Sequence, residues 1–165
     1  MTHTLILTRH AKSSWDNPML DDHARPLSNR GRKSAPAIAK WLRAHGWVPD
    51  EVLSSTSTRT RETWGRMAMT AEYVRFQDAL YLAGPDQMIR QLFEAKGRTV
   101  LMLGHNPGIA QFARQLVQDT PAHSRFLDYP TCATTVMEFD VASWTEVQWH
   151  TGKVLGFAIP RELLE

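Results

Sequence analysis

The feature that most limits how this chain can fold is a repeated alternation of short apolar runs with longer segments of helical periodicity. Residues 3–8 surround a β-branched and leucine-rich run typical of a buried strand, and apolar residues then recur at helical spacing over 28–45. The same succession of strand and helix follows three more times. This pattern predicts an α/β sandwich with a largely parallel central sheet.

Capping residues set the expected bounds of these elements. Ser28 is a suitable N-cap for the first helix and Gly46 a suitable stop, whereas Pro36 would kink the helix or shift its start. Asn106 followed by Pro107 predicts an N-cap and a first-turn proline for the last helix of the series. The further predicted strands cover 52–54, 73–76 and 98–103, and the further predicted helices cover 59–69, 86–95 and 107–118.

The final third of the chain changes character. Residues 134–139 and 145–149 are predicted as two strands joined by a polar turn near Ala142. We expect these two strands to form an antiparallel edge on the otherwise parallel sheet.

The size and composition of the chain suit one compact unit. With 165 residues, of which 42% are hydrophobic, it can bury one substantial core, and we expect a single domain over 1–165. No run approaches the roughly 20 apolar residues that span a bilayer, and the first residues lack the pattern of a secretory leader. The lone Cys132 excludes an internal disulfide framework. We therefore expect a cytoplasmic monomer without a membrane partner.

The net charge and the spacing of potential metal ligands limit the partners and cofactors that we expect. The formal net charge of +2 argues against a nucleic-acid partner. The sequence has no recognisable spacing of zinc ligands. The sequence thus gives no indication of a metal site, and we expect no cofactor.

Basic side chains stand at three points where a predicted strand gives way to a loop or helix: Arg9 with His10, Arg59, and His105. Ligand sites of open α/β sheets form beyond the carboxyl ends of the strands, so these points can converge although they are far apart in sequence. Planar guanidinium groups and nearby helix N-termini suit the oxygens of a phosphoryl group. The positions therefore predict a phosphate pocket, although each residue alone could equally cap a carbonyl group or face solvent.

Three segments of the chain read LILTRHAKSSWD, VLSSTSTRTRET and LMLGHNPGI. In order and spacing they resemble the three signatures of the histidine phosphatase superfamily, which also contains the phosphoglycerate mutases. The segment DDHARPLSNRGR and the short chain are most similar to the SixA-type phosphohistidine phosphatase branch. The resemblance implies a three-layer α/β/α sandwich and phosphoryl transfer without a metal. It also implies that His10 is the nucleophile and that Arg9, Arg59 and His105 form the phosphate pocket.

Two positions depart from the family pattern. Ala11 follows the nucleophile where relatives usually carry glycine, which restricts the backbone slightly. Asp16 stands where relatives often place a phosphate-binding asparagine, and a carboxylate there would repel a dianion unless it is turned away or paired. Lys12 could offset that repulsion or lie in solvent, so the role of Asp16 stays open.

Two further residues are candidates for the site. Larger relatives often supply a carboxylic acid that protonates the leaving group, and Asp78 is the nearest candidate for this general acid. A surface or helix-capping role explains Asp78 equally well. Arg25 belongs to a charged cluster at the expected entrance, with Asp21, Asp22 and His23. It is a candidate for an accessory substrate contact or a member of an ordinary salt-bridged loop.

These residues together predict a phosphatase that hydrolyses a phosphomonoester or a phosphoramidate through a phosphohistidine on His10. The charges of Arg9 and Arg59 are expected to keep that histidine neutral. If the pocket has no general acid, a protein phosphohistidine is the preferred substrate, because its leaving nitrogen can be protonated before the bond breaks. The alternatives are a phosphatase or mutase for a small phosphorylated metabolite, and a noncatalytic module that binds phosphoproteins.

Overall fold

The computed structural model describes residues 2–164, which form a six-stranded sheet with helices on both faces. The order across the sheet is β3-β2-β4-β1-β5-β6. The four strands from β3 to β1 are parallel, while β5 runs antiparallel to both β1 and β6. The largely parallel sheet with an antiparallel edge is thereby confirmed. The strands are β1 (Thr2–Arg9), β2 (Glu51–Ser54), β3 (Tyr73–Phe76), β4 (Thr99–Gly104), β5 (Thr134–Asp140) and β6 (Lys153–Ala158).

The helices of the described residues complete the three layers. They are α1 (Asn29–Ala44), α2 (Thr58–Met67), α3 (Pro85–Phe93), α4 (Gly108–Leu116) and α5 (Pro160–Leu163). Helices α1, α2 and α5 pack on the face of the sheet that carries Ile6 and Leu101. Helices α3 and α4 pack on the opposite face, which carries Leu5 and Leu7. Because successive β1 side chains point to opposite faces and both faces are covered, the consecutive residues Leu5, Ile6 and Leu7 are all buried. No helix in this part of the chain is long and apolar enough to cross a membrane.

The register of β1 and β4 fixes where the site forms. Arg9 lies opposite Gly104 in the parallel ladder, so His10 and His105 leave adjacent strands at the same edge. The His10 N–H also donates to the Gly104 carbonyl at 3.1 Å. On the other flank of β4, β2 ends at Ser54 and leads into the N-terminus of α2. The carboxyl ends of three parallel strands therefore open at one edge of the sheet.

The first helix has the bounds that its capping residues predict. Ser28 accepts a hydrogen bond from the Gly31 N–H at 3.1 Å and so caps α1. Gly46 follows the helix with a φ of 73°, a conformation that favours glycine. Pro36 lies inside α1 and neither ends the helix nor moves its start.

The strand predicted over 145–149 is wrong. This segment overlaps a short 3₁₀ helix, Trp144–Glu146, because the Trp144 ring is buried and its Nε1 donates to the Gly97 carbonyl at 2.6 Å. The partner of β5 is β6, further along the chain. Gly156 interrupts the apolar pattern of β6, since a Cβ there would lie 3.0 Å from the Trp47 ring.

The N-cap predicted at Asn106 is also wrong. The helix α4 begins at Gly108, with Pro107 as its cap residue. The Asn106 amide instead donates to the carbonyls of Asp128 and Tyr129 at 2.9 and 3.1 Å. It ties the loop after β4 to the segment before β5.

Candidate active site

Side chains from three strand ends meet in one cavity of about 400 Å³. Arg9 is the last residue of β1, His10 follows it, and His105 directly follows β4. Arg59 lies in the first turn of α2, the helix after β2. The structure therefore brings together the four residues that the sequence predicts for a phosphate pocket. The described residues lining the cavity are Arg9, His10, Lys12, Ser13, Trp15, Asp22, Arg25, Arg59, Leu82, His105, Asn106 and Thr131.

The hydrogen bonding of His10 leaves one ring nitrogen available for chemistry. The residue is 5% exposed, and its Nδ1 lies 2.7 Å from the carbonyl oxygen of Ala11. A carbonyl oxygen only accepts, so Nδ1 carries the proton and donates it to this bond. Among residues 2–164 none hydrogen-bonds Nε2. His10 thus presents an unprotonated Nε2 to the cavity.

Burial is the main reason that the His10 imidazole stays neutral. It lowers the pKa of His10 well below 6.5, while the hydrogen bond to Ala11 acts in the opposite direction. The charges of His105, Arg9 and Arg59 lower this pKa further. The arginines therefore act in the expected direction, but less strongly than burial. The neutral ring is the form that can attack phosphorus.

His105 is held on both sides of its ring. Its Nδ1 accepts a hydrogen bond from Arg59 Nη2 at 3.3 Å, so its proton lies on Nε2, which donates to Ser55 Oγ at 2.7 Å. Burial, and then the charge of Arg59, lower the pKa of His105 to about 3. The ring centroids of His105 and His10 are 5.2 Å apart. His105 is therefore a neutral ring beside His10 that helps to fix Arg59.

The two arginines of the predicted pocket have different partners. Arg59 is 3% exposed, and its Nη1 and Nη2 donate to the backbone carbonyl and the carboxylate of Asp22 at 2.6 and 2.9 Å. Arg9 donates from Nη1 to the Tyr129 carbonyl at 3.2 Å. In both side chains Nε is buried and has no hydrogen-bond partner within residues 2–164. Each of these two buried arginines is thus left with one N–H group that has no protein acceptor.

Arg25 and Asp22 form an ion pair at the same cavity. Arg25 donates from Nη2 to Asp22 Oδ1 at 3.0 Å and from Nη1 to Ser13 Oγ at 2.8 Å. Its guanidinium carbon lies 3.5 Å from the centroid of the Trp15 ring. Arg25 is both a salt-bridged loop residue and part of the cavity lining, so the two roles considered for it do not exclude each other.

Asp22 is the one carboxylate among the described residues that line this cavity. Burial raises the pKa of its carboxyl group, but hydrogen bonds from Tyr81, Arg59 and Arg25 outweigh that effect and hold the pKa well below its usual range. Asp22 therefore stays ionised and cannot donate a proton near neutral pH. Within residues 2–164, histidine, cysteine and carboxylate side chains are nowhere grouped in threes or more as a metal site would need.

The structure separates two other carboxylates from the cavity. Asp78 is exposed at the start of a 3₁₀ helix, Asp78–Leu80, and accepts a hydrogen bond from Thr56 Oγ1. It does not line the cavity, so the geometry gives no support to Asp78 as the general acid. Asp16 is exposed and lines a neighbouring cavity of about 330 Å³, whereas Lys12 lines the one that holds His10. Asp16 therefore does not oppose an anion from within the pocket.

Sequence reasoning missed several groups that build the site. The Ala11 carbonyl and the Ser55 hydroxyl fix the two histidine rings, and the Tyr81 hydroxyl donates to the Asp22 carboxylate. The run of serine and threonine over 54–58 is a signal for Ser55, although it predicts only helix caps. No local pattern marks Tyr81.

Comparisons with known proteins relate the chain to one superfamily. A profile described as the histidine phosphatase superfamily (branch 1) matches residues 5–80. Uncharacterized proteins from Mycobacterium tuberculosis and from Arabidopsis thaliana, the latter chloroplastic, are each 32% identical over 160 residues. The first match covers 93% of this chain and 99% of the mycobacterial protein, and the second covers 88% of this chain and 71% of the plant protein.

Solved structures share the fold over almost the whole chain. A candidate phosphohistidine phosphatase SixA from Nakamurella multipartitia is 28% identical, with a TM-score of 0.85 and coverage of 97% of each chain. The protein histidine phosphatase SixA in complex with tungstate has a TM-score of 0.74 at 19% identity, covering 97% of this chain and 99% of the other. These likenesses confirm the three-layer α/β/α sandwich expected for the chain.

Proposed function

Because this chain belongs to the histidine phosphatase superfamily, in its SixA-type branch, we propose that it removes phosphoryl groups from histidine side chains of proteins, with His10 as the nucleophile. The observation that carries the proposal is the proton on His10 Nδ1. The bond to the Ala11 carbonyl leaves Nε2 with a lone pair at the wall of a cavity lined by Arg9 and Arg59. A nucleophile beside two guanidinium groups is what phosphoryl transfer needs.

In the first step, His10 Nε2 forms a bond to phosphorus while the bond from phosphorus to the substrate's imidazole nitrogen breaks. The bonding electrons return to that nitrogen, and the substrate leaves as a neutral imidazole because its other ring nitrogen already carries a proton. The phosphorylated His10 ring keeps its Nδ1 proton on the Ala11 carbonyl. Arg9 and Arg59 balance the charge on the phosphoryl oxygens, so this step needs no metal ion.

In the second step, water attacks phosphorus and releases inorganic phosphate. The electrons of the phosphorus–nitrogen bond return to His10 Nε2, and the proton lost by water passes to phosphate or solvent. The nucleophile is thereby restored in its neutral form, which burial of the ring favours.

Among the described residues that line the cavity there is no carboxylic acid that could protonate a leaving group near neutral pH, which supports an N-phosphorylated substrate. Asp22 is the one carboxylate among the described lining residues, and hydrogen bonds from three side chains keep it ionised. An alkoxide leaving group would need a proton from the enzyme, whereas a protonated phosphoimidazole does not. The mouth of the cavity also exposes apolar Trp15 and Leu82, which suit the surface of a protein more than a charged metabolite.

Trapping of the covalent intermediate tests the proposal. Wild-type protein is mixed with a ³²P-labelled histidine-phosphorylated protein and quenched in base, and we expect label on this chain that is stable in base and lost in acid. His10→Ala is expected to lose both the label and turnover, by on the order of 1000-fold. His45→Ala, which changes an exposed histidine outside the cavity, is the matched control and should behave as wild type.

Two results would contradict the assignment. An acid-stable adduct would point to a hydroxyl nucleophile, and full turnover in His10→Ala would remove the histidine from the chemistry. Phosphate binding without release from any histidine-phosphorylated protein, phosphoramidate or p-nitrophenyl phosphate would indicate the binding module instead.

A further inference from the structure

The Asp22 carboxylate accepts as many hydrogen bonds as its two oxygens can hold. Its Oδ2 accepts from Arg59 Nη2 at 2.9 Å and from the Tyr81 hydroxyl. Its Oδ1 accepts from Arg25 Nε and Nη2 at 3.2 and 3.0 Å. A carboxylate has about four lone-pair sites, so none is left for a substrate group. The protein thus surrounds the Asp22 carboxylate with hydrogen-bond donors, as it would surround a bound anion.

Arg59 uses two of its N–H donors on Asp22 and a third on His105. Both N–H bonds of Nη2 are used, one on the Asp22 carboxylate and one on His105 Nδ1 at 3.3 Å. Nη1 donates to the Asp22 carbonyl at 2.6 Å. A phosphoryl group binds a guanidinium through two parallel hydrogen bonds, which would require these donors. Asp22 and an incoming phosphoryl group therefore need the same face of Arg59.

One member of this pair is far more exposed than the other. The Asp22 side chain is 46% exposed, and it lies on a three-residue 3₁₀ helix, Asp22–Ala24, in the connection between β1 and α1. The Arg59 side chain is 3% exposed and is fixed by α2 and by His105. The carboxylate can turn into water without opening the core, whereas the guanidinium cannot. Displacement would thus move Asp22 and leave Arg59 in place.

We propose that Asp22 is an internal competitor for the phosphoryl group: it occupies Arg59 in the empty site, and the phosphoryl group displaces it on binding. The return of the carboxylate to Arg59 then weakens the hold on inorganic phosphate and favours its release. This inference rests on the proposed function, since it assumes that the cavity is where the phosphoryl group binds. It makes Asp22 a residue that sets the balance between binding and product release.

Direct binding of inorganic phosphate tests the competition. Calorimetric titration at pH 7 is expected to give about tenfold tighter phosphate binding for Asp22→Asn than for wild type, because the competing negative charge is gone. Asp21→Asn removes the same formal charge from the neighbouring position, which does not line the cavity, and is expected to change the affinity by less than about twofold. With p-nitrophenyl phosphate as substrate, product inhibition should tighten in Asp22→Asn alone. Unchanged or weaker phosphate binding in Asp22→Asn would overturn the proposal.

A second variant keeps the test decisive if Asp22→Asn does not fold. Tyr81→Phe removes one donor to the carboxylate but keeps the ring, whose centroid lies 5.3 Å from that of His105. Asp22 is then held less firmly, and phosphate should bind about threefold tighter. Tighter binding cannot result from general damage to the site, and weaker or equal binding in Tyr81→Phe would overturn the proposal as well. Because the titration needs no turnover, a wild type without phosphatase activity would contradict the proposed function and leave this test intact.

Discussion

The chemistry of His10 depends on which of its two ring nitrogens carries the proton. The backbone carbonyl of the next residue decides this, so any side chain at position 11 supplies the same acceptor. Ala11 therefore leaves the protonation of His10 unchanged, although the family signature usually has glycine there. Its methyl group is fully buried in the cluster beneath α1, with Leu27 and Ala35, and strengthens the packing under the active site.

The two buried histidines predict a loss of stability in acid. In the unfolded chain both titrate near 6.5, whereas in the folded protein burial lowers the pKa of His10 well below that value and that of His105 to about 3. Between these values the unfolded chain binds more protons, so the free energy of unfolding falls as pH is lowered from 7 to 4. The maximum slope is about 1.4 kcal/mol per pH unit for each histidine. Urea denaturation at pH 7, 5.5 and 4 measures this slope.

Two variants separate this effect from other acid-sensitive groups. His105→Gln removes one of the two buried titrating rings and should reduce the slope, although it lowers stability at pH 7. His45→Gln removes an exposed histidine and should leave the slope unchanged. Equal slopes in wild type and His105→Gln would contradict the assignment of the effect to His105.

At the scale of elements, α4 packs against the loop at Ala83, and the neighbouring Leu82 lines the cavity that contains His10. The Ile109 N–H donates to the His105 carbonyl at 2.8 Å, which joins the first turn of α4 to the site. Gly108, the first residue of the helix, sits where a Cβ would lie 1.7 Å from the Ala83 carbonyl oxygen. Only a residue without a side chain allows this approach. The loop that carries Leu82 and the helix that follows His105 are thereby held together.

The different surroundings of Gly108 and Gly65 predict opposite effects on stability when each glycine is replaced by alanine. Gly108→Ala should lower stability by about 2 kcal/mol and reduce phosphatase activity, because either α4 or the loop at Ala83 must shift. Gly65→Ala, inside α2, places its Cβ where no heavy atom lies within 4 Å and should raise stability by up to about 1 kcal/mol. Thermal denaturation and initial rates measure both. A Gly108→Ala protein as stable and active as wild type would refute the close approach.

At the scale of the whole molecule, the sheet order places the cavity at one edge of the sheet, where Trp15 and Leu82 are exposed apolar residues at its rim. Leu82 is 56% exposed at the cavity and has a φ of 52°, which is unusual for a leucine. Trp15 is also exposed in the lining, and its ring lies against the guanidinium group of Arg25. An exposed apolar side chain held in a costly backbone conformation at the mouth of a site suits contact with a protein surface.

The rim predicts a difference between large and small substrates. Leu82→Asn removes the apolar contact and keeps a residue that tolerates positive φ. We expect its kcat/KM for a histidine-phosphorylated protein, divided by that for phosphoramidate, to fall about fivefold. Leu127→Asn changes a leucine of equal exposure, 56%, outside the cavity and should leave the ratio unchanged. The same ratio in both variants would argue against docking of the protein substrate at Leu82.

The sequence by itself determined the layers of the fold and the positions of the basic residues. Strand and helix periodicities are local properties of the sequence, and parallel strands present their carboxyl ends at one edge of the sheet. The sequence alone therefore predicts that Arg9, His10, Arg59 and His105 lie together. The same local reasoning failed at β6, where Gly156 breaks the alternation because of tryptophan rings far away in sequence.

Only the tertiary structure decided the state of each group in the cavity. The conformations of the loops around the cavity decide which ring nitrogen of His10 carries the proton and that Arg59 binds Asp22. They also place Asp16 and Asp78 outside the lining of the cavity. The bond between Arg59 and Asp22 joins segments that are far apart in the sequence, and the bond from His10 to the carbonyl of Ala11 depends on the backbone conformation after β1. For that reason the residue types of the site were predictable, whereas their partners and protonation were not.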